Sequence, residues 1–204
     1  MSMTIRIPAL VLLLAAPGAP AIANIADENT RPEAGVWVFD PSHSQIVFRY
    51  DHMGFSTSYG FVNGVEGRVT LDPADPGAAS VEASFPLSAL RTIDAALDAH
   101  LMGPDFFNVS GEVPVVTFTS TSVRPDGDDE ARVTGDLTLN GVTRPVELKV
   151  EYNGAGIDPV SERVTIGFDI EAEIRRSDFN LGAFVPAVGD KVRIDISVEA
   201  RRQD

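Results

Sequence analysis

Val164-Thr165-Ile166-Gly167-Phe168-Asp169-Ile170-Glu171-Ala172-Glu173-Ile174-Arg175 alternates apolar and polar side chains along its whole length. Side chains on a strand point to opposite faces in turn, so this stretch predicts a β-strand with one dry and one wet face. The pattern recurs on both sides. Downstream, Val192, Ile194, Ile196, Val198 and Ala200 alternate with Arg193, Asp195, Ser197 and Glu199. Upstream, Val146, Leu148, Val150 and Tyr152 alternate with Glu147, Lys149 and Glu151, and Val133, Leu137 and Leu139 with Thr134, Asp136 and Thr138. Asn140-Gly141 lies between these two runs and supplies the positive φ angles of a tight hairpin, while Pro145 points to a slightly longer connection.

Earlier runs predict strands over Val36 to Phe39, Gln45 to His52, Tyr59 to Leu71, Ser80 to Leu87 and Val115 to Val123. Turn signals such as Asp72-Pro73, Asp75-Pro76-Gly77 and Asp126-Gly127 separate them. Gly60, Gly64 and Gly67 read as bends in one long strand. Only Thr92 to Leu101 reads as a helix. Thr92 is its N-cap, Gly103-Pro104 its stop, and Ile93, Ala96, Leu97 and Leu101 or His100 its apolar face. About eight or nine antiparallel strands in meander order leave two exposed edges in an open sheet, and closure removes them. The fold class is therefore all-β: a closed antiparallel β-barrel of about eight strands with one short helix between strands.

An eight-stranded barrel is filled by its own side chains or holds one small ligand. Strand parity turns Phe48, Tyr50, Phe61, Phe85, Phe118 and Phe168 inward, together with small Gly67, Ala83, Gly135 and Ala172. Small inward residues leave room, but periodicity alone is equally satisfied by a dry interior of interdigitated side chains.

The composition narrows the function. With 16 Lys plus Arg against 30 Asp plus Glu, the formal charge is -14, which disfavours nucleic acid and anionic membrane surfaces as partners of the whole surface. Cysteine is absent, removing disulfides, thiolate metal sites and cysteine nucleophiles together. Arg6, the ten-residue apolar run Ile7 to Ala16, which is too short to span a bilayer, and the small-x-small Ala21-Ile22-Ala23 predict a signal peptide over residues 1–23. Residues 24–35 read as a flexible mature N-terminus and 36–204 as the domain.

Chemistry-bearing motifs are sparse. The three histidines match no zinc spacing, and no metal site is expected. His43 lies in the turn Asp40-Pro41-Ser42-His43-Ser44, where a hydrogen bond within the turn is its expected role. His52 shares parity with Phe48 and Tyr50 and so faces inward at one barrel end. His100 can cap the helix or project into the barrel mouth. There is no G-x-S-x-G elbow and no phosphate-binding glycine loop. The loop from Arg176 to Gly189 carries Phe179, Leu181, Phe184 and Val185 between Arg175, Arg176 and Lys191. It reads either as an apolar lid with a basic rim or as a plug folded onto the barrel end.

Asp40-Pro41-Ser42-His43-Ser44-Gln45-Ile46-Val47-Phe48 followed by His52-Met53-Gly54, His100-Leu101-Met102-Gly103-Pro104-Asp105-Phe106-Phe107, Gly135 to Val146, Arg176 to Leu181 and Val188-Gly189-Asp190-Lys191-Val192 stand in this order along the chain. Together they resemble the signatures of the YceI-like family, over nearly the whole chain. Gly103 stands where the family usually has Ser, and Asn180 where it has Gly, which points to altered hydrogen bonding at the mouth and an altered lid. The resemblance implies a lipocalin-like barrel, export to the periplasm, and an interior that binds a long isoprenoid such as a polyprenyl phosphate or a quinone. It also implies no catalytic residue and no cofactor besides that lipid. The expected ligand-binding residues are Phe48, Tyr50, Phe61, Phe118 and Phe168 along the shaft and His52, Leu97, His100, Leu101, Phe106, Phe107, Phe179 and Phe184 towards the mouth. Two other classes stay open: an enzyme using His52 or His100 as acid or base on a lipid or small apolar molecule, and a ligand-free interaction protein. The expected partner is an amphiphilic lipid, with no nucleic acid, no membrane span, transient contact with a membrane or with membrane proteins, and a monomeric or homodimeric state.

Overall fold

A computed structural model of the chain describes residues 26, 27 and 30–203; the expected signal peptide lies outside them. The elements are β1 (Gly35–Phe39), β2 (Gln45–His52), β3 (Ser56–Asn63), β4 (Glu66–Leu71), β5 (Ser80–Pro86), β6 (Leu90–Thr92), α1 (Ala95–Met102), β7 (Val115–Pro125), β8 (Glu130–Leu139), β9 (Val142–Ile157), β10 (Val164–Arg175) and β11 (Lys191–Arg202). Every pairing between strands is antiparallel. β1 pairs with β4 on one edge and β11 on the other, closing the ring β1-β4-β5-β7-β8-β9-β10-β11. This is the closed eight-stranded barrel that the alternation required.

The ring is complete at one end only. Towards the other end β11 pairs with β2, β2 with β3 and β3 with the three-residue β6. Among the described residues no strand pairing joins β6 to β7. α1 and the segment to Pro114 occupy that interval, and the Leu87 amide donates to the Pro114 carbonyl (2.8 Å) at its base. One end of the barrel is thus sealed by strands, and the other is covered by a helix and loops.

β1–β2 and β3–β4 are each one strand track broken at a corner. The first breaks at the turn 40–44 and the second at Gly64 (φ +72°), and the Val65 amide bonds the Ser44 carbonyl (3.2 Å) across the two. The single strand expected over Tyr59 to Leu71 is therefore two. The break shifts the alternation by one residue, so Val62 is buried on the core side with Val65 and Val69, while Phe61 turns outward.

Two other local expectations change. The Asn140-Gly141 connection is a two-residue hairpin with φ of +52° and +71°, and Pro145 simply takes its place in β9 opposite Asp136. The helix begins later than Thr92: Asp94 is the N-cap, its side chain accepting the Ala96 amide at 2.9 Å, and Gly103 ends the helix as expected. Thr92 ends β6 and its hydroxyl donates to Asp98 Oδ1 (2.7 Å), while Ile93, placed on the inner face by helical spacing, is 91% exposed. Asp94 takes the cap because Thr92 is already held in the β3 ladder opposite Gly60, too early to reach the helix's first amides.

The core follows from the ring. Trp37, Ile166, Val198 and Ala200 lie at 3% exposure or less near the sealed end, with Ile166 directly opposite Ala200. The described part of the N-terminal stretch read as flexible is pinned there. Asp27 and Ala155 exchange backbone hydrogen bonds, Arg31 pairs with Asp129 (2.6 Å) and the Tyr152 hydroxyl donates to the Thr30 carbonyl (2.6 Å). Partners distant in sequence supply these contacts, so polar composition did not reveal them.

Candidate functional site

The inward faces enclose a cavity of about 490 Å³, within the range of roughly 300–1,000 Å³ usual for small-molecule sites. The interior is therefore not a dry plug. Its wall is almost wholly apolar, built from alternate residues such as Ile46 and Phe48 of β2, Val116 and Phe118 of β7, Ile170, Ala172 and Ile174 of β10, and Ile194 and Ile196 of β11.

Cross-strand aromatic–glycine pairs keep the space open. An added Cβ on Gly60 would stand 2.0 Å from the Phe48 ring, on Gly135 2.3 Å from the Phe118 ring, and on Gly67 2.6 Å from the Phe39 ring. Each ring therefore lies down on bare backbone of the neighbouring strand instead of crossing the lumen. Gly67 and Gly135, expected to leave room themselves, are occupied, and they make room by letting a ring fold back. Ala83 and Ala172 do border the cavity.

Of the expected ligand-binding residues, Phe48, Tyr50, His52, Leu97, His100, Leu101, Phe106, Phe107, Phe118 and Phe184 line the cavity. Phe61, Phe168 and Phe179 do not. Phe61 is outward because the Gly64 corner changes its parity. Phe168 keeps its inward parity but packs against Tyr152, opposite it on β9 with ring centroids 5.7 Å apart, as part of the core. Phe179, 1% exposed, belongs to a small core with Ile174 and Leu181 that seals one side of the mouth. The loop after β10 is thus plug and lid at once: Phe179 is buried beneath it, while Leu181, Phe184 and Val188 face the cavity.

Arg176 holds that loop. It was expected on a basic rim, but it is buried and lines the cavity. Its Nε donates to Gly189 O (2.9 Å), Nη1 to Leu181 O (2.5 Å) and Ala183 O (2.7 Å), and Nη2 to Val188 O (2.9 Å). Burial pulls its pKa down, opposed by the Asp190 carboxylate. Asp190 in turn accepts the Ser177 amide and hydroxyl (2.9 and 2.8 Å). Asn180 adopts the left-handed conformation (φ +59°) that Asn tolerates well among non-glycine residues, so the turn forms without the glycine.

At the mouth, the His100 ring stands edge-on to Phe106 (5.2 Å) and to Phe184 (6.3 Å), with Nε2 3.2 Å from Asp105 Oδ2. His52 forms a bridge with Val188, and the Gly189 amide bonds the Asp51 carbonyl (2.9 Å), tying the β2–β3 hairpin to the loop. Both histidines thus border an apolar cavity at its polar opening.

His43 is at the sealed end. Its Nδ1 lies 2.9 Å from Asp40 Oδ2, the turn hydrogen bond expected for it, and 3.9 Å from Glu199 Oε2. Asp40, His43 and Glu199 could together hold a metal ion, a grouping hidden from the sequence because Glu199 comes from the last strand. However, Arg201 Nη2 is 2.6 Å from the same Asp40 oxygen and 3.2 Å from Asp158, so a cation already occupies the charge balance. The hydrogen bond to Asp40 and then the Glu199 charge raise the His43 pKa. For Asp40, burial acts upward but is outweighed by the bonds from His43 and the Ser42 amide and by Arg201, and its pKa is lowered.

Residues 37–200 match the YceI-like domain. The chain belongs to the YceI-like family. Protein YceI of Escherichia coli O157:H7 is 40% identical over 161 residues, covering 79% of this chain and 83% of that protein. Among solved YceI-like barrels, Burkholderia cenocepacia BcnA superposes with a TM-score of 0.70 at 25% identity, covering 79% of this chain and 98% of that one. A polyisoprenoid binding domain from Saccharophagus degradans, implicated in plant cell wall breakdown, shares the fold at a TM-score of 0.59 and 14% identity, over 82% and 98% of the two chains. The YceI-like barrel accounts for the whole cavity, which lies within the matched residues.

Proposed function

We propose that the protein is a non-enzymatic carrier that holds the chain of an amphiphilic isoprenoid along the barrel axis, with its polar end at the mouth. The apolar cavity of about 490 Å³ opening at His52 and His100 carries this reading. Burial of each methylene contributes about 0.8 kcal/mol before the costs of association, so a polyprenyl tail supplies the driving force without catalytic groups. The polyisoprenoid binding named for the Saccharophagus degradans domain supports the same ligand class. The leader-like residues 1–23 support export to the periplasm as the place where this lipid is held, moved or sequestered.

Native mass spectrometry and solvent extraction of protein purified without detergent test the proposal. Recovery of an isoprenoid that leaves the protein chemically unchanged is the expected result; failure to recover or rebind any isoprenoid, or turnover dependent on His52 or His100, overturns it. His100→Leu should shift preference among head groups more than total affinity, because unpaired polar groups discriminate more than they bind. Lipid titrations with a polyprenyl phosphate and a quinone read this directly, and equal loss for both contradicts it.

A further inference from the structure

The rim around the cavity mouth exposes large apolar side chains that the carrier role leaves unused. Phe55, at the tip of the β2–β3 hairpin, is 88% exposed, and Ile93, between β6 and α1, is 91% exposed. Met53, Phe184 and Val185 are also exposed, and Met53 and Phe184 continue the surface into the cavity wall. An exposed apolar surface of this kind marks an interaction site.

The hairpin tip is held rather than loose. Met53 and Gly54 turn with positive φ, Asp51 Oδ1 accepts the Gly54 amide (2.8 Å), and the Phe55 amide bonds the His52 carbonyl (3.0 Å). The Gly189 amide's bond to the Asp51 carbonyl and the bridge between His52 and Val188 fix the same hairpin to the lid loop. Phe55 is therefore presented outward on a pre-organised convex turn, so little ordering entropy opposes its burial.

We propose that this rim docks on a lipid bilayer surface and that the ligand passes between bilayer and cavity there without crossing water. The proposal rests on the lipid-carrier reading, since a long isoprenoid tail loses its apolar contacts whenever it enters water. Charge selects the bilayer over a second copy of the chain. Exposed Asp51, Asp94 and Asp105 stand around the mouth, and two chains of formal charge -14 placed mouth to mouth repel, whereas a zwitterionic surface does not.

Flotation with empty phosphatidylcholine vesicles tests docking without reference to ligand, using the wild-type protein and a Phe55→Ser/Ile93→Ser variant, neither of whose altered positions lines the cavity. The wild type should float and the variant should partition at least tenfold less, while quinone presented in detergent micelles binds both alike. With vesicles doped with ubiquinone-10, the uptake rate should rise with vesicle concentration for the wild type and fall at least tenfold in the variant. Wild-type protein that stays in the aqueous fraction at every lipid concentration overturns docking. So does a wild-type dimer that the variant dissolves, which would assign the rim to a second copy. Protein that floats but takes up no quinone leaves docking standing and counts against the carrier reading instead.

Discussion

The two ends of the barrel solve opposite problems. At the sealed end the strands pair all the way round, Trp37 and Ile166 are buried, and charged side chains clamp the exterior through Asp40, His43, Asp158 and Arg201. At the mouth the ladder is interrupted between β6 and β7, the cover is a helix with no buried residue, and a single arginine ties the lid to its own carbonyls. Closure of the ladder stabilises the barrel; leaving one interval to α1 gives the cavity an opening. Stability and access are thereby separated along one axis, and substitutions at the two ends should separate in the same way.

The largest effect is expected from Trp37→Ala, which removes the largest fully buried side chain of the sealed end and should cost about 3–5 kcal/mol of unfolding free energy. Chemical denaturation measures it; a loss as small as that of a surface substitution would deny this end its role as the stability anchor. Arg176→Met comes next. It strips the carbonyls of Leu181, Ala183, Val188 and Gly189 of their donor, at about 1–3 kcal/mol for each group that stays buried and unpaired. Because the loop can open to solvate them, the signature is fast amide exchange over residues 177–189 with the sealed end still protected.

Gly135→Ala should act on the cavity and on the barrel ladder together, because the added Cβ stands 2.3 Å from the Phe118 ring and 2.6 Å from the Thr119 carbonyl. The new methyl group displaces the Phe118 ring towards the lumen and should weaken isoprenoid binding by about tenfold, or about 1.4 kcal/mol. Unchanged affinity in lipid titrations would mean that the ring finds room elsewhere.

The smallest effect is a pH dependence at the sealed end. The folded His43 pKa lies above its ordinary value of 6.5, so its stabilising interaction is fully present below pH 6.5 and is lost as pH rises through the raised pKa. The Asp40 pKa lies below 3.8, so its contribution is present above that pH and is lost as pH falls through the lowered pKa. His43→Gln should flatten the small decline in stability on the alkaline side and also shrink the acid-side contribution without abolishing it, because Asp40 loses the His43 bond but keeps the Ser42 amide and Arg201. Solvent exposure of the imidazole keeps the alkaline term small. Two-dimensional NMR of the His43 ring with parallel thermal melts checks both signs.

Strand alternation was legible because it is local: each residue of β10 or β11 declares its face relative to its immediate neighbours, and no distant contact is needed to set a period of two. The barrel, the inward course of β2, β7, β10 and β11, and the cavity-facing Phe48, Tyr50 and Phe118 follow from that period. Phe61 was misplaced where the period was carried across Gly64, although a glycine inside a strand pattern is itself the sign of such a corner. Phe168 and Phe179 show a different limit. Parity gives the direction of a side chain but not whether Tyr152 or the Ile174–Leu181 core stands between it and the lumen.

The amino-acid sequence by itself determined the all-β class, the family and which strands line the interior, since these rest on periodicity and on motifs whose residues are close together in the chain. Only the tertiary structure decided that the interior is hollow. That outcome depends on rings from one strand meeting glycines on the next, Phe48 on Gly60 and Phe118 on Gly135, and lateral contacts of this kind leave no period in either strand. It also turned Arg176 from rim to buried brace, because four carbonyls converge on its guanidinium only when the loop has folded back, and a buried cation is tolerated only where its donors are met.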